Sequence, residues 1–295
     1  MPELPEVETI RRHLAPRLEG RRLEALVVHD ARWCVSLTPE ELADACEGRV
    51  IERLDRRGKY FVMALEGDVF MLMHLRMTGT LLLDPDPATP HSRVVFDVGD
   101  HRLRFVDPRR FGTGELAVGD AALRTFLDAR LGLEPLEPGA LTGTALRELA
   151  RGRRAPVKAF LLDQRRVAGV GNIYADEALH AAGIHPLRPV GALRLAQLDA
   201  LAAAVRDALE RGISAGGATI DDFRHPDGVS GAFQHEFRVH LRRGEPCGRC
   251  GTEIVKMVAA GRGTYVCETC QPRPRARRRS TVADIVTRPS RAMPA

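Results

Sequence analysis

The spacing of hydrophobic and polar residues divides this 295-residue chain into two differently patterned halves. Near the N-terminus, Val7, Ile10 and Leu14 recur at intervals of three and four, which predicts an amphipathic helix from Glu6 to about Leu18. Short apolar runs follow, separated by glycine, aspartate and proline, and predict strands over 22–29, 49–55, 59–65, 69–75, 79–83, 93–98 and 101–106. Many short strands with few helices favour a β-sandwich.

The second half of the chain returns to helical spacing. Apolar residues predict helices over 157–162, 172–182 and 193–213. The stretch 132–156 is rich in proline, glycine and charge, which predicts a linker. We therefore expect an α+β fold with an N-terminal sandwich domain over 1–131, this linker, a helical domain over 157–235, a cysteine-bearing hairpin over 236–270 and a disordered basic tail over 271–295.

Two Cys-x-x-Cys pairs separated by sixteen residues form the most specific local signal in the chain. Four thiolates can hold one Zn²⁺ at about 2.3 Å in a closed tetrahedron, which leaves no open coordination position and makes the metal structural. A redox-active pair is the alternative, but such pairs accompany a βαβ pattern that this sequence lacks. The predicted zinc ligands are Cys247, Cys250, Cys267 and Cys270.

The positive charge of the chain is unevenly distributed. The net charge is +5, but residues 271–295 carry seven arginines and one acid, so the first 270 residues have a net charge of −1. A nucleic-acid surface on the folded body therefore requires local clustering of basic residues. No apolar run approaches the roughly 18 residues that cross a bilayer, and no signal-peptide core is present, so we expect a cytoplasmic protein.

The second residue carries candidate chemistry. Removal of Met1 would leave the amine of Pro2 free, and an α-amine with an ordinary pKa of about 7.7–8.0 is substantially unprotonated at neutral pH. A secondary amine that attacks an aldehyde-level carbon forms an iminium, which accepts electrons in later steps. Glu3 places a carboxyl group beside it for proton transfer. The alternative is a surface arm that its prolines keep out of a helix.

Three loops combine basic or polar residues with glycine. Residues 107–112 read Asp-Pro-Arg-Arg-Phe-Gly, in which Phe111 could wedge between bases while Arg109 pairs with a base edge. Residues 261–264 read Gly-Arg-Gly-Thr, a hairpin tip that suits a phosphate. Residues 168–172 read Ala-Gly-Val-Gly-Asn, where Asn172 could cap a helix whose free N–H groups bind an anion. The alternatives are a core phenylalanine, solvated arginines and an ordinary helix start.

These motifs occur together, and in this order, in one family. The chain resembles the formamidopyrimidine-DNA glycosylases, bacterial enzymes that remove oxidised purines and cleave the abasic strand. The resemblance implies an N-terminal helix with a β-sandwich, a helix–two-turn–helix domain and a zinc hairpin, with damaged double-stranded DNA bound between them by a monomer. The matching segments within residues 1–270 are MPELPEVETIRR, RRGKY, HLRMTG, DPRRFG, PVKAFLLDQ, GVGNIYADE, AGIHP and the cysteine pairs with GRGT between them.

The resemblance implies catalytic roles for four residues. Pro2 is similar to the nucleophile that forms a Schiff base with sugar C1′, and Glu3 to the acid–base group that assists base departure and ring opening. Lys59 is similar to the acid of β-elimination, which also contacts phosphate. Arg262 is similar to a backbone contact that also takes part in δ-elimination.

The resemblance also implies a DNA-binding set. Three of these residues are similar to those that fill the gap left by an extruded nucleotide, with the arginine facing the unpaired cytosine: Met77, Arg109 and Phe111. The others are similar to residues that clamp the DNA backbone: His91, Arg153, Lys158 and Asn172. An enzyme that acts on a base must extrude it, because the stack hides the glycosidic carbon.

Three alternatives remain open at this point. The endonuclease VIII branch shares this scaffold and prefers oxidised pyrimidines. A catalytically silent zinc-ribbon DNA-binding protein and a zinc-stabilised interaction module without DNA affinity lack the chemistry of Pro2, Glu3 and Lys59. Asp221 and Asp222 occupy a loop that closes over the extruded base in the family, where relatives often carry basic or neutral residues, so the lesion range depends on this loop.

Overall fold

The computed structural model of the chain describes residues 2–220 and 223–274. The predicted tail therefore lies largely outside the described residues. The elements in chain order are α1 (Leu4–Leu18), β1 (Leu23–Val28), α2 (Pro39–Cys46), β2 (Ile51–Arg57), β3 (Tyr60–Leu65), β4 (Val69–His74), β5 (Thr80–Leu83), β6 (Ser92–Val98), β7 (His101–Val106), β8 (Thr113–Val118), α3 (Asp120–Asp128), α4 (Gly143–Ala150), α5 (Val157–Leu162), α6 (Asn172–Ala181), α7 (Leu195–Ser214), β9 (Val255–Ala259) and β10 (Arg262–Val266).

Helix α1 begins two residues earlier than its apolar spacing predicts. Glu3 is the N-cap, and the side chain of Glu6 accepts a hydrogen bond from the Glu3 N–H at 2.8 Å. Pro5 falls in the first turn, where a missing N–H costs no helical hydrogen bond. Along its length the helix joins two cores, because Leu4 packs into the helical core whereas Val7 and the apolar residues after it pack into the sandwich.

Two four-stranded antiparallel sheets form the predicted β-sandwich. Their strand orders are β1-β6-β7-β5 and β2-β3-β4-β8. Phe96 and Phe105 from one sheet share a buried core with Phe61 and Met71 from the other. Because successive side chains of a strand point to opposite faces, one face of each sheet supplies this core.

Strands β3 and β4 are buried at every position, because both faces of their sheet are covered. On the outer face, Tyr60 and Phe70 pack with Leu123 and Phe126 of α3. The sequence analysis predicts neither α3 nor β8. Helix α3 has no fully buried residue of its own, and β8 contains the weak strand formers Gly114 and Glu115 near its start.

The C-terminal half contains the predicted helical domain, but the predicted linker needs correction. The stretch 132–156 includes α4, which begins at the N-cap Thr142. Leu146 and Ala150 of α4 are buried in the same core as α6 and α7. The proline and glycine content that predicts a linker belongs to the turns around this helix, and part of the stretch is an ordered piece of the helical domain.

Strands β9 and β10 form the predicted hairpin. Ala260 and Gly261 connect them, both in the left-handed region with φ of 53° and 68°, as a two-residue hairpin turn requires. The ordered segment that follows the hairpin extends further than predicted. Gln271 is fully buried and its amide donates to the carbonyl of Ile184 at 2.9 Å, so the predicted tail begins after this residue.

Candidate active site and nucleic-acid interface

A cavity of about 460 Å³ opens between the sandwich, the helical domain and the hairpin. Basic groups from the sandwich and the hairpin meet there. Four residues that were selected from distant sequence motifs line its walls: Lys59, Met77, Phe111 and Arg262. The lining residues are Lys59, His74, Arg76, Met77, Phe111, Thr113, Leu162, Gln164, Val170, Gly171 and Arg262.

The start of the chain is held in a seat formed by two glycines. Gly169 has a φ of 82°, and a Cβ there would lie 2.5 Å from the Leu4 side chain, while the Leu4 N–H donates to its carbonyl at 3.1 Å. A Cβ on Gly171 would lie 2.3 Å from the Glu3 carboxyl carbon. The lack of a side chain at Gly169 and Gly171 therefore makes room for Leu4 and Glu3. The loop packs against these residues of the chain itself, whereas its sequence predicts a site for a bound anion. Pro2 is buried beside Glu3.

The Glu3 carboxylate occupies the N-terminus of α6. Its Oε1 accepts a hydrogen bond from the Ile173 N–H at 3.0 Å. Its Oε2 is buried and has no hydrogen-bond partner among residues 2–220 and 223–274. The residue as a whole is 1% exposed. One oxygen is thus fixed by the protein, and the other remains available to accept or deliver a proton.

Glu6 is a site residue that the sequence analysis treats only as part of a helix. Its Oε2 accepts from the Glu3 N–H, and its Oε1 accepts from the Tyr174 hydroxyl and from the Ala218 N–H, each at 2.8 Å. Burial raises the pKa of Glu6, and the nearby charge of Glu3 raises it further. The spacing of Glu3 and Glu6, which match the cap and third positions of a capping box, is the sequence signal for this contact.

Lys59 presents a buried ammonium group to the cavity. It is 5% exposed, and among the described residues its Nζ has no hydrogen-bond or ion-pair partner. Burial lowers the pKa of Lys59, Arg262 lowers it further, and the carboxylates of Glu3 and Glu6 oppose that shift. A lysine with a lowered pKa is a better proton donor to a weak base than an ordinary surface lysine.

The turn that precedes Lys59 is fixed by one carboxylate. Glu134 accepts hydrogen bonds from Arg56 and Arg57 at 2.9 Å and from the Gly58 N–H at 2.8 Å. Gly58 has a φ of 57°, which favours glycine in this turn. Glu134 lies within the predicted linker, so proximity in the fold, and not in sequence, reveals its connection to Lys59.

His74 is a second cavity residue that the sequence analysis does not select. Its Nδ1 accepts a hydrogen bond from the Arg76 N–H at 3.0 Å, and its ring packs edge-on against Tyr60. Burial, together with the charges of Arg76 and Lys59, lowers the pKa of His74 to about 3. The ring is therefore neutral at physiological pH and carries its proton on Nε2.

Two of the three predicted gap-filling residues, Met77 and Phe111, line the cavity, and the third, Arg109, lies against Phe111. Met77 is 36% exposed and Phe111 is 50% exposed, although neither is a surface-favouring side chain. The Arg109 guanidinium lies 4.9 Å from the centre of the Phe111 ring. Exposed apolar groups beside a cation are the chemistry needed to enter a base stack. The alternative interpretation of Phe111 as a core residue is therefore wrong.

The predicted backbone contacts occupy different environments. His91 and Arg153 are exposed. His91 has a φ of 63° and lies near Arg93, with 3.4 Å between their ring and guanidinium nitrogens. Arg153 donates to the carbonyl of Leu149 at 2.7 Å and does not line the cavity.

Asn172 connects the helical domain to the hairpin. It is the first residue of α6, whereas Gly171 is the N-cap, so the predicted cap position is wrong by one residue. Its amide donates to the carbonyl of Gly263 at 3.0 Å. This contact lies next to Arg262, whose guanidinium is exposed and has no partner within the described part of the chain.

Lys158 does not fit the predicted contact with a DNA phosphate. Its side chain is 0% exposed, and its Nζ donates to Asp176 and to the Thr264 hydroxyl, each at 2.7 Å. Asp176 in turn pairs with His240 at 2.9 Å. The Gly263 carbonyl lies 3.4 Å from the same Nζ, so the three donors of this buried ammonium group all face protein acceptors and none is left for DNA. Lys158 instead fastens the hairpin to α5 and α6.

The four cysteines fit a zinc ion. Their sulfur atoms all lie within 4.8 Å of one another, with separations of 3.4 Å for Cys250–Cys267, 3.5 Å for Cys250–Cys270 and 3.9 Å for Cys247–Cys270. A tetrahedron with Zn–S bonds of about 2.3 Å has edges of about 3.8 Å. All four vertices are thiolates, so the bound zinc has a structural role and leaves no position for substrate.

Comparison with known proteins agrees with this geometry. The family models of the formamidopyrimidine-DNA glycosylase N-terminal domain, of its helix–two-turn–helix domain and of the zinc finger found in these enzymes and in isoleucyl-tRNA synthetase match residues 1–114, 131–224 and 244–273. The formamidopyrimidine-DNA glycosylase of Alkalilimnicola ehrlichii is 44% identical over 282 residues, which cover 92% of this chain and all of the relative. The chain belongs to the formamidopyrimidine-DNA glycosylase family.

Solved structures of relatives share the whole fold. The Lactococcus lactis enzyme in complex with a DNA that contains Fapy-dG has a TM-score of 0.85 and 36% identity, and the match covers 92% of this chain and all of that one. The Thermus thermophilus enzyme has a TM-score of 0.82 and 42% identity, with 92% and 98% coverage. The predicted α+β architecture and zinc hairpin are confirmed. Every helix among the described residues is too short or too polar to cross a membrane.

Proposed function

We propose that the chain is a bifunctional DNA glycosylase and abasic-site lyase of base excision repair, which excises oxidised purines such as 8-oxoguanine and formamidopyrimidines. The observation that carries this proposal is the position of Glu3. One of its oxygens is fixed by the N-terminus of α6, and the other is buried and has no partner among the described residues, while the residue itself follows Pro2 and packs against Gly171 in the wall of the cavity that Lys59 and Arg262 share.

The nucleophile is the amine of Pro2 after removal of Met1. Its lone pair forms a bond to sugar C1′, and the glycosidic bond breaks with its electrons leaving on the base, which takes up a proton. The nitrogen then loses its proton, its lone pair forms the iminium as the C1′–O4′ bond opens, and O4′ takes up a proton. We assign this proton transfer to Glu3 Oε2, because it is a buried carboxyl oxygen without a partner among the described residues and belongs to the residue that follows Pro2.

Strand cleavage follows from the iminium as an electron acceptor. Loss of a proton from C2′ expels the 3′-phosphate, and a second elimination expels the 5′-phosphate. Both leaving groups are anions, and the cavity offers the ammonium of Lys59 and the guanidinium of Arg262 on the same side. We assign Lys59 to β-elimination and Arg262 to δ-elimination, as the family resemblance implies.

Damaged double-stranded DNA is the proposed partner of the cavity. Met77, Arg109 and Phe111 enter the stack and occupy the place of the extruded nucleotide, which offsets part of the cost of unstacking. Asn172 and the exposed groups of His91, Arg153 and Arg262 contact the backbone. Such contacts fix register without reading sequence, which suits an enzyme that searches for lesions.

The compartment and assembly follow from this activity. We propose that the protein acts as a monomer, as the family resemblance implies. We further propose that it works in the bacterial cytoplasm in association with the nucleoid, where its DNA substrate is found. The resemblance implies that the loop with Asp221 and Asp222 closes over the extruded base. Both residues lie outside the described residues, and the range of lesions is therefore left to the excision experiment below.

Excision of defined lesions tests the proposal. The enzyme is offered one duplex with 8-oxoguanine opposite cytosine and a second with thymine glycol, each in the presence and absence of borohydride. Preferred excision of 8-oxoguanine together with a borohydride-trapped adduct is the expected result. Preferred excision of thymine glycol favours the endonuclease VIII type of activity, and binding without excision or adduct favours a silent DNA-binding protein.

A further inference from the structure

We infer that Asp107 is a positioning residue that holds the gap-filling loops in one arrangement before DNA binds. The inference rests on the proposed function, because it concerns how Met77, Arg109 and Phe111 reach the base stack. The residue itself is 1% exposed and lies beneath these loops, at the end of β7. Its carboxylate and its backbone together join three separate segments of the chain.

The carboxylate of Asp107 binds two of the segments. From the Met77 loop, the Thr78 hydroxyl donates a hydrogen bond to its Oδ1. From the other loop, the N–H groups of Phe111 and Gly112 donate to its Oδ2 at 2.8 Å and 2.7 Å, and the Arg109 N–H donates to Oδ1 at 3.2 Å. One buried anion therefore accepts four hydrogen bonds, all from residues that carry or adjoin the gap-filling side chains.

The backbone of Asp107 binds the third segment. Its N–H donates to the carbonyl of His91 at 3.0 Å, and its carbonyl accepts from the Arg93 side chain at 2.8 Å. His91 is one of the proposed DNA-backbone contacts. The position of Asp107 thus sets the His91 segment relative to the two gap-filling loops.

The backbones of both gap-filling loops pack closely against the ring of Phe105. A Cβ on Gly79 would lie 3.0 Å from the Phe105 ring and 2.5 Å from the carbonyl oxygen of Leu75, and a Cβ on Gly112 would lie 2.5 Å from the ring. Arg76 and Arg110, one on each loop, have left-handed φ values of 55° and 59°. Strained residues persist where surrounding contacts fix them: Asp107 binds the N–H groups on both sides of Arg110, and the His74 ring binds the N–H of Arg76.

The position of the exposed side chains depends on this support. Met77 and Phe111 have much of their surface in solvent, so their own packing fixes them weakly. When they enter DNA, any freedom that the loops retain must be lost, and this loss reduces the free energy that is available for base extrusion. Loosening the loops should therefore slow reactions that require a filled gap in a duplex, and leave the sugar chemistry unchanged.

Two near-isosteric variants test the inference. Asp107→Asn turns one acceptor oxygen into a donor that faces N–H groups, and Thr78→Val removes the hydroxyl at constant volume. We expect single-turnover excision of 8-oxoguanine opposite cytosine to fall about tenfold or more for the first, as for the loss of a hydrogen bond to a charged group, and about threefold for the second, because Asp107 keeps its three N–H donors. Cleavage of a single-stranded abasic oligonucleotide should change less than about twofold for either variant.

Matched controls are available at sites remote from the loops. Asp97→Asn removes a charge that pairs with Arg102 at the surface, and Thr125→Val removes a hydroxyl from α3. Both should retain wild-type rates on both substrates. Discrimination between cytosine and adenine opposite the lesion should decrease in Asp107→Asn, because Arg109 is held through its N–H.

The outcomes separate this inference from the proposed function. Wild-type rates on duplex DNA for Asp107→Asn, or an equal loss on duplex and single-stranded substrates, would overturn the positioning role. Failure of the wild-type enzyme to form a borohydride-trapped adduct on either substrate would instead overturn the proposed function. A lower melting temperature of a variant changes neither interpretation, because the ratio of the two rates is measured at a temperature at which all variants are folded.

Discussion

The Tyr174 hydroxyl donates a hydrogen bond to the Glu6 carboxylate at 2.8 Å, and this contact connects the first turn of α1 with α6. The same carboxylate oxygen accepts the Ala218 N–H, and the Tyr174 ring stacks on Phe233 at 5.2 Å. Glu6 also accepts from the backbone of Glu3. A single buried carboxylate thus connects the proposed catalytic residue Glu3 to α6 and to the backbone of Ala218, which follows α7.

Glu6 should give the protein a measurable pH dependence of stability. Burial raises its pKa in the folded state, so the folded protein holds this proton to a higher pH than the unfolded chain does. The free energy of unfolding should therefore fall as pH rises from the ordinary glutamate pKa through the raised one. Urea unfolding of wild type and Glu6→Gln at pH 4–8 measures this, and the wild type should lose stability relative to the variant. A difference that stays constant across this range would contradict the raised pKa.

Gly171 should be intolerant of a single added methyl group. In Gly171→Ala the new Cβ would overlap the Glu3 carboxyl group, so Glu3 must move from the Ile173 N–H and from its place beside Pro2. We expect base excision to fall at least about tenfold, since displacement of a catalytic group has large effects on rate. Gly248→Ala is the matched control, because a Cβ there meets no atom within 4 Å. Equal rates for the two variants would show that the seat is not needed.

Lys59 should determine the alkaline limit of strand cleavage. Burial lowers its pKa, so the ammonium form is lost as pH rises through a value below the ordinary lysine pKa of about 10.4. Cleavage of a preformed abasic site should therefore decline on the alkaline side before that pH is reached. Lys59→Arg should keep its charge and lose this decline, whereas Lys59→Met should lower the rate about 100-fold or more at all pH values. A wild-type profile that is flat to pH 10 would contradict this role.

Lys158 should affect stability without adding to the electrostatic contacts with DNA. Lys158→Met leaves Asp176 buried without its cation, at a cost of about 3–5 kcal/mol in unfolding free energy. The slope of log K against log salt for duplex binding should stay unchanged, because no phosphate contact is removed. Arg262→Ala, in contrast, should reduce that slope by about 1. A reduced slope for Lys158→Met at temperatures where it is folded would restore the predicted phosphate contact.

Local patterns in the sequence predict the elements that carry their own signals. The three- and four-residue spacing of Val7, Ile10 and Leu14 predicts α1, and the two Cys-x-x-Cys pairs predict the zinc hairpin and its four ligands. Short apolar runs that are separated by turn residues predict most of the sandwich strands. The gap-filling residues are predicted through the resemblance of whole motifs, and two of the three line one cavity, while the third lies against one of these two.

The remaining features depend on contacts between distant segments. Helix α3 exists because the outer face of β3 and β4 needs a cover, which no window around residue 120 reveals. Glu6 and Glu134 look like ordinary helix and turn residues until the fold places Tyr174 and the Lys59 turn beside them. Lys158 resembles a surface lysine in sequence, and only the arrival of Asp176 and Thr264 explains its burial.

Covalent capture at the second residue tests whether the nitrogen of Pro2 is the nucleophile. The enzyme is incubated with an 8-oxoguanine duplex and borohydride, digested, and analysed by mass spectrometry of the N-terminal peptide. We expect Met1 to be absent and the reduced sugar adduct to lie on the nitrogen of Pro2. Retention of Met1 on the active enzyme, or an adduct that maps only to a lysine side chain, would contradict it.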